Sequence, residues 1–267
     1  MIERAREKKL GLITSDLPGI GDKLVVSSFP ENYYHNTGLK VVDIDHCCVF
    51  DHNPFVERDT NYEIVLTHGN ICSLFNSKKD TKQFLSFPER MCKAFGFKLY
   101  LRNPRLYKFD NVKQEKRICI HSSGSSKNRH IPPAAVEKIL ERYSDHEILQ
   151  IGWKGDTNLS KVFPKISDCT SDKSVKDAFW DTAQFIASSE MYIGIDSGWV
   201  HMANAYNRVR KKIFLNYPEG WIEQFVPGVM NPQPHTDGTS NPWFDFNWEY
   251  YNTFNYDVGV SRSYLNI

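Results

Sequence analysis

The stretch Met191-Tyr-Ile-Gly-Ile-Asp-Ser-Gly-Trp-Val-His-Met-Ala-Asn-Ala205 joins an apolar run to a helix-like segment through a short polar turn. Its first part predicts a buried strand, and Asp196-Ser-Gly198 predicts the turn at which a helix begins. The same order of apolar run, polar loop and helix recurs along the chain, which is typical of βαβ units. The sequence therefore predicts an α/β fold with mostly parallel sheets.

This rhythm is clearest in the second half of the chain and weaker in the first. In the second half we expect strands at 117–121, 147–151, 191–195 and 213–216, and helices at 132–143 and 175–188. In the first half we expect strands at 10–14, 39–44, 64–67 and 98–101, and helices at 22–29 and 88–95. The charged stretch Asn111-Val-Lys-Gln-Glu-Lys116 lies between the halves. The sequence thus predicts two domains, 1–112 and 113–267, the second with an aromatic-rich tail.

Composition and charge argue against several classes of protein. The chain has 267 residues, with 33 Lys+Arg against 32 Asp+Glu and a formal net charge of +1. It therefore lacks the broad positive field expected of a protein whose main task is to bind nucleic acid. No apolar run approaches the ~20 residues of a membrane span, and the N-terminus lacks the apolar core of a signal peptide. The six cysteines form no Cys-x-x-Cys pair, so we expect a cytoplasmic protein with reduced thiols.

The first loop that could carry chemistry is Pro18-Gly-Ile-Gly-Asp-Lys23, which follows the first predicted strand. Ligands of open α/β sheets bind beyond the carboxyl ends of the strands, and glycines let the backbone approach a ligand closely. Asp22 is predicted at the N-cap of the next helix, with its carboxylate near the loop. An ordinary capping residue is the alternative interpretation of Asp22.

The second loop is His121-Ser-Ser-Gly-Ser-Ser-Lys-Asn-Arg-His130, between a predicted strand and a predicted helix. Serine hydroxyls, a nest of backbone N–H groups and the cations of Lys127 and Arg129 suit a pyrophosphate. A surface loop without a ligand is the alternative.

The third loop is Asp196-Ser-Gly198, with His201 one turn into the helix. A carboxylate at a strand end can accept the hydroxyls of a sugar, and amides at a helix start can meet a phosphate. A capping aspartate followed by a buried histidine is the alternative here.

Three other patterns favour ordinary structure over chemistry. Asp43-Ile-Asp45 imitates the Asp-x-Asp pattern of divalent metal sites, but no second cluster at metal-ligand spacing completes a coordination shell, so we expect no metal. A Ser/His/Asp hydrolase is disfavoured because the sequence has no Gly-x-Ser-x-Gly elbow. The basic run Arg208, Arg210, Lys211 and Lys212 predicts a solvated face, with contact to anionic lipid as the alternative.

In this order, the three loops resemble those of glycosyltransferase family 9, the bacterial heptosyltransferase-like enzymes. The most specific match is Ile193-Gly-Ile-Asp-Ser-Gly-Trp-Val-His-Met-Ala-Asn-Ala205, which is similar to the family's strand, Asp-Ser/Thr-Gly, His and Ala-rich helix. Gly21-Asp22 is similar to the family's N-terminal Gly-Asp. Lys127-Asn-Arg-His-Ile-Pro132 resembles its basic residue followed by His, an aromatic and Pro, with Arg129 where Lys is usual. Phe87-Pro-Glu-Arg-Met-Cys-Lys-Ala-Phe-Gly96 resembles the helix that closes the N-terminal half.

This resemblance implies a GT-B-like fold: two Rossmann-like domains facing a central cleft, acceptor on the N-terminal side and nucleotide-sugar on the C-terminal side. It also implies metal-independent, inverting sugar transfer without a cofactor, with Asp22 as the general base. The residues it implies for the donor are Ser123, Gly124, Ser125, Lys127, Arg129, Trp153, Asp156, Asp196, Ser197, Gly198 and His201.

Two departures from the family pattern leave the donor sugar and the acceptor open. The chain is short for the family, which predicts a trimmed acceptor domain, and Trp199 replaces a small residue or Pro beside Gly198. We expect transfer of heptose or a related sugar to a bacterial cell-surface glycan or glycolipid, by a cytoplasmic protein that could contact the inner membrane peripherally. A nucleotide-sugar epimerase on the same fold and a non-catalytic nucleotide-sugar-binding protein are the alternatives.

Overall fold

The computed structural model describes residues 8–15, 17, 19–59, 61–67, 87–124, 130–195, 197–215 and 248–252. The chain divides into two compact units: described residues up to Lys108 belong to the first, and those from Phe109 onward belong to the second. Each unit has a parallel sheet of its own. The part of the chain that the structure describes has no helix long and apolar enough to cross a membrane.

The sheet of the first unit has four parallel strands in the order β3-β2-β1-β4. The strands are β1 (Leu10–Leu12), β2 (Val41–Asp43), β3 (Val56–Glu57) and β4 (Ile64–Leu66). β1 lies at the centre because Gly11 pairs with Val42 on one side and Val65 on the other. The sequence indicated β1, β2 and β4, whereas the two-residue β3 was too short to give a period.

Among the described residues, three α-helices accompany this sheet: α1 (Ile20–Val25), α2 (Phe29–Thr37) and α3 (Phe87–Phe95). The single helix predicted at 22–29 is wrong, because the chain turns after Val25 and starts a second helix at Phe29. α2 ends at Gly38, whose φ of 73° lies in the left-handed region that glycine adopts without strain.

The second unit has a six-stranded parallel sheet in the order β10-β9-β8-β5-β6-β7. Its strands are β5 (Glu115–His121), β6 (Glu147–Gln150), β7 (Ile166–Asp168), β8 (Ser189–Ile195), β9 (Arg210–Leu215) and β10 (Trp248–Asn252). Its helices are α4 (Pro133–Arg142), α5 (Val175–Ser188) and α6 (Gly198–Asn204). Sequence periodicity indicated neither β7 nor β10.

The core of this unit forms where α4 packs on the central strands. Val136 and Ile139 of α4 and Ile118, Ile120 and Ile193 of β5 and β8 are all buried in one cluster. Burial of large aliphatic side chains is the main favourable term in folding, at about 1.5–3 kcal/mol for each. It holds β5 and β8 side by side at the centre of the sheet.

The solvated face predicted for the basic run is wrong for two of its members. Lys211 and Lys212 lie within β9 and are only 4% and 8% exposed. The strand begins at Arg210, earlier than predicted, because it continues its pairing with β8 through these residues. Arg208 is exposed and donates to the carbonyl oxygens of Asp110 and Val112.

The strand that was expected at 98–101 is not formed. Asparagine side chains of α2 bind the backbone of this segment instead. Asn32 of α2 is fully buried, and its Oδ1 accepts from the amides of Tyr100 and Leu101 at 2.7 and 2.9 Å. Its Nδ2 donates to the Leu101 carbonyl at 2.6 Å and to the Ser28 carbonyl at 3.0 Å. Asn36, one turn later, bonds both backbone polar groups of Lys98. The segment therefore satisfies its backbone from α2 instead of from a neighbouring strand.

We predict that Asn32→Ala lowers the free energy of unfolding by about 2–4 kcal/mol, because the side chain is fully buried and its hydrogen bonds to the Tyr100 and Leu101 backbone are lost together. Urea denaturation measures the loss, and faster amide exchange at Leu101 localises it. Asn36→Ala is the matched control: its side chain is only half-buried, so water can replace it, and we expect a loss of about 1 kcal/mol or less. Equal losses for the two variants would contradict the role given to Asn32.

Candidate functional site

The first loop places Asp22 differently from the prediction. The N-cap of α1 is Gly19, and Asp22 is the third residue of the helix. Its Oδ2 accepts a hydrogen bond from the Gly19 amide at 3.0 Å, so the carboxylate turns back toward the loop that follows β1. The predicted N-cap position is wrong because α1 starts at Ile20, earlier than the sequence indicated. The carboxylate is partly exposed and lies beyond the carboxyl end of β1.

Asp45 holds the start of the same loop. Its carboxylate accepts from the Thr14 amide at 2.8 Å, from the Thr14 hydroxyl at 3.2 Å and from the Ser15 amide. Burial by itself would raise the pKa of Asp45, but these hydrogen bonds from Ser15 and Thr14 outweigh burial and lower it. Asp45 therefore serves as a structural acceptor for the backbone between β1 and α1.

Asp43 lies at the end of β2 and is almost fully enclosed, with 1% of the residue exposed. Arg58 Nε lies 3.8 Å from its Oδ2. Burial raises the pKa of Asp43 to about 7. Within the described ranges, no three His, Cys, Asp or Glu side chains are grouped to hold a metal ion. Of these two aspartates, Asp43 is therefore a buried carboxyl group, and Asp45 is a hydrogen-bond acceptor for the backbone after β1.

In the second unit, the second loop is described at its two ends. Ser123 is buried, forms a bridge with His130 and accepts the Thr157 amide on its Oγ at 2.8 Å. Ser122 Oγ donates to the Thr157 carbonyl at 3.1 Å. These bonds tie the end of β5 to the segment after β6, and Gly124, the next residue after Ser123, is partly exposed. Ser125, Lys127 and Arg129, which the sequence also indicated, lie outside the described residues.

The centre of the site is His121, the last residue of β5, which sequence reasoning passed over. Its Nδ1 lies 3.0 Å from Ser197 Oγ, and its Nε2 lies 3.4 Å from Asp156 Oδ2. The histidine side chain is 4% exposed and the aspartate side chain 11%. The sequence offered one signal for His121: it ends an apolar strand and directly precedes the serine-rich loop. His121 brings together Asp156 and Ser197, two residues that the sequence indicated separately.

Gly152 leaves the space in which Asp156 approaches His121. Its φ of 131° is a conformation that other residues rarely adopt, and a Cβ at this position would overlap the Asp156 carboxylate and come within 2.9 Å of His121 Cδ2. Asp156 also accepts the Trp153 amide on Oδ2 at 2.7 Å. The segment 152–156 is therefore a tight turn with its carboxylate directed at His121.

The third loop contributes Ser197 and two buried residues of α6. Ser197 is the N-cap of α6 and is partly exposed, Gly198 begins the helix, and His201 is buried in it. Trp199 is also buried, and its ring lies 5.3 Å from the partly exposed ring of Trp153. Trp153 thus lies against Trp199 of α6 and next to Asp156, which accepts its amide. Asp196 lies outside the described residues.

Comparison with known proteins identifies the fold. No protein-family model matches the sequence, and no curated protein matches it either. Among solved structures, the chain is similar to a family 9 glycosyl transferase from Veillonella parvula, with a TM-score of 0.60 and 10% identity over 97% of this chain and 90% of that one. It is also similar to the ADP-heptose LPS heptosyltransferase II of E. coli, with a TM-score of 0.54 and 11% identity over 91% and 89% of the two chains.

A third similar structure is the iron-containing dodecameric glycosyltransferase TibC from enterotoxigenic E. coli, with a TM-score of 0.52 and 12% identity over 78% of this chain and 60% of that one. At these identities the likeness concerns the fold. The predicted class, two parallel-sheet α/β units of the GT-B-like kind, is confirmed. The resemblance to glycosyltransferase family 9 is confirmed at this level, in the chain path shared with structures of that family.

We predict that Gly152→Ala lowers the free energy of unfolding by about 1–3 kcal/mol, the range for residues forced into sparsely populated backbone conformations. The added methyl group also pushes Asp156 from His121. Gly155→Ala is the matched control in the same turn, because a Cβ there meets nothing within 4 Å. Thermal and urea unfolding of both variants measure the difference, and equal stability would contradict the packing described for Gly152.

We predict that Asp43→Asn stabilises the protein progressively, relative to the natural chain, as pH rises from about 4 to 7. The raised pKa of Asp43 means that the folded chain keeps a proton that the unfolded chain releases near pH 4, so its stability contribution falls as pH rises through 7. Asparagine cannot ionise and escapes this loss. Urea denaturation at pH 4.5, 6 and 8 measures the difference.

The exposed Asp59→Asn variant is the control for this pH series, and its difference from the natural chain should change by less than about 0.5 kcal/mol over the same range. A difference between Asp43→Asn and the natural chain that stays constant from pH 4.5 to 8 would show that Asp43 does not carry a raised pKa.

Proposed function

We propose that the protein is an inverting, metal-independent glycosyltransferase that moves heptose or a related sugar from a nucleotide-diphosphate donor to a bacterial cell-surface glycan or glycolipid. Its fold is shared with structures of family 9 glycosyltransferases and heptosyltransferase II, which supports this class. The fold alone does not determine chemistry, so the proposal depends on the site.

The observation that carries the proposal is the convergence, at the carboxyl edge of the second sheet, of the segments at the ends of β5, β6 and β8. His121 ends β5, and it contacts both Asp156, which follows β6, and Ser197, which follows β8. Ligands of open α/β sheets bind at this edge. Ser123, Gly124 and Trp153 lie on the same loops, in agreement with a donor site formed by residues that the sequence indicated one by one.

The leaving diphosphate needs positive charge and hydrogen-bond donors as the bond to the sugar breaks. In the proposed site Lys127 and Arg129 supply the charge, the serine-rich loop 122–126 supplies donors, and Asp196 binds hydroxyls of the donor sugar. Gly198 and His201 form the adjoining wall at the start of α6. Asp45 is already bonded to Thr14 and Ser15, which supports a reaction without a metal at the Asp43–Asp45 pair.

Asp22 is the proposed general base. A base must come within hydrogen-bond reach of the acceptor hydroxyl and must be ionised at the working pH. Asp22 is partly exposed at the carboxyl end of β1, and the Gly19 amide holds its Oδ2 while Oδ1 stays outside that bond. This arrangement orients a carboxylate without enclosing it.

The acceptor, the cellular location and any membrane contact follow from the resemblance and are part of the same proposal. A cytoplasmic enzyme that meets a membrane-bound glycolipid would act at the inner face of the inner membrane. Trp199 distinguishes this chain from the family pattern, and its packing against Trp153 places the difference beside the proposed nucleotide contacts. We therefore assign no particular nucleotide base to the donor.

We predict that Asp22→Asn abolishes sugar transfer and leaves the donor dissociation constant within about threefold, because the amide keeps the shape of the side chain but cannot take a proton. Asp59→Asn, at an exposed carboxylate paired with Lys9, is the control and should keep normal turnover. Normal turnover in Asp22→Asn would remove this residue from the role of base.

The donor is found by a thermal-shift screen of nucleotide-sugars, each with and without EDTA. A ligand present at a hundred times its dissociation constant adds ~2.7 kcal/mol to stability, so a true donor should stand out. The positive nucleotide-sugar is then incubated with the protein alone and with a panel of glycan acceptors. Acceptor-dependent transfer supports the proposal, and a shift that is lost in EDTA would contradict metal independence.

Two results of the same incubation favour the alternative functions. Isomerisation or release of the sugar without an acceptor would identify a nucleotide-sugar epimerase. Tight binding with no turnover across the acceptor panel would identify a non-catalytic binding protein.

A further inference from the structure

The proposed function gives His121 no contact with the ligand, yet this side chain joins the segments that follow β6 and β8. It leaves the end of β5 and lies between Asp156, which follows β6, and Ser197, which follows β8. The strand register accounts for the meeting, because His121 pairs with Gly194 of β8 and the preceding Ile120 pairs with Gln150 of β6. The contact is thus built into the centre of the sheet.

Asp156 determines which ring nitrogen carries the proton. An ionised carboxylate can only accept hydrogen bonds, and its Oδ2 faces His121 Nε2 at 3.4 Å. The proton of a neutral imidazole is therefore favoured on Nε2. The histidine side chain is 4% exposed, so water screens this preference weakly. Asp156 cannot easily rotate away, because the Trp153 amide donates to the same Oδ2 at 2.7 Å.

The tautomer of His121 determines the hydrogen-bond role of Ser197. With its proton on Nε2, the imidazole offers a lone pair on Nδ1, and Ser197 Oγ lies 3.0 Å from that atom. The hydroxyl proton of Ser197 then points inward to Nδ1. Ser197 is a partly exposed residue, and its oxygen then presents only lone pairs to its surroundings.

We propose that His121 is a positioning residue that fixes Ser197 Oγ as a hydrogen-bond acceptor, so that this atom recognises a hydroxyl of a bound ligand and not a phosphate oxygen. The ligand's identity as a nucleotide-sugar rests on the proposed function, whereas the order of contacts Asp156–His121–Ser197 does not. A sugar hydroxyl can donate to such an oxygen, and an ionised phosphate cannot. The Ser197 side chain would therefore contribute to sugar selection.

The tautomer of His121 is the direct test. The natural chain with ¹⁵N-labelled histidine is studied by NMR at pH 8, where a free histidine is neutral. The missing signals of His121→Asn assign the residue among the nine histidines. We expect the proton on Nε2 in the natural chain and in Ser197→Ala, and a substantial Nδ1–H population in Asp156→Asn. A proton on Nδ1 in the natural chain would overturn the proposal, because Ser197 would then be free to donate.

Two conservative substitutions of His121 distinguish a positioning role from a purely structural one. The amide of His121→Asn reaches the Nδ1 position and can keep the bond to Ser197, whereas that of His121→Gln reaches the Nε2 position and can keep only the contact with Asp156. With the nucleotide-sugar that gives a thermal shift, we expect the affinity to fall about five- to tenfold in His121→Gln and to stay within about twofold in His121→Asn. Equal losses that follow thermal stability would overturn the positioning role.

Pyrophosphate tests whether the Ser197 hydroxyl donates to a phosphate oxygen, because it has phosphate oxygens and no sugar. We expect Ser197→Ala to bind pyrophosphate within about twofold of the natural chain. A loss of tenfold or more would show that the Ser197 hydroxyl donates to phosphate and would overturn the proposal. Labelling of Ser197 by a fluorophosphonate would also overturn it, since the serine would then act as a nucleophile.

The role given to His121 and the proposed function can fail independently of each other. If no nucleotide-sugar binds, the proposed function fails, and the tautomer and the fluorophosphonate reaction still decide whether Ser197 donates to His121 or accepts from it. If a donor binds and is turned over while the proton lies on Nδ1, the function stands and the role given to His121 fails.

Discussion

The parallel register of β5 with β6 and β8 is the constraint on which the second unit depends. Parallel strands end at one edge of a sheet, and the pairing of Ile120 with Gln150 and Ile193 sets how far each following loop reaches. That register brings His121, Asp156 and Ser197 into contact although they are far apart in the chain. The buried aliphatic residues beneath them hold the strands in this alignment.

At three described places outside the sheets, polar side chains provide hydrogen bonds for the backbone. Asp45 holds the amides after β1, Asn32 those of the segment before the second unit, and Ser123 the amide of Thr157. Buried backbone groups need such partners, and a polar side chain is the remaining source when no strand is adjacent. This explains why polar residues are buried at loop ends here. It also separates their structural roles from the part that His121 and Ser197 have in the proposed site.

Much of the fold was predictable because burial leaves a pattern in the sequence. Continuous apolar runs indicated the central strands β5, β6 and β8, and helical apolar spacing indicated the helix at Val175–Ser188. β3 and β7 were not: β3 has only two residues, and only Ile166 of β7 is buried, so neither strand gives an apolar run. The strand expected at 98–101 fails for the opposite reason: its pattern suits a strand, but Asn32 and Asn36 of α2 bind its backbone instead.

The sequence by itself determined the α/β class, the resemblance of the loops to glycosyltransferase family 9, and Asp22, Asp156 and Ser197 as separate candidates. Local spacing and residue chemistry carry that information. Only the tertiary structure decided that His121 joins Asp156 to Ser197, that Gly152 leaves room for them, and that Lys211 and Lys212 are buried. These facts depend on which strands lie side by side, and strand order arises from packing across the whole sheet, which no local pattern records.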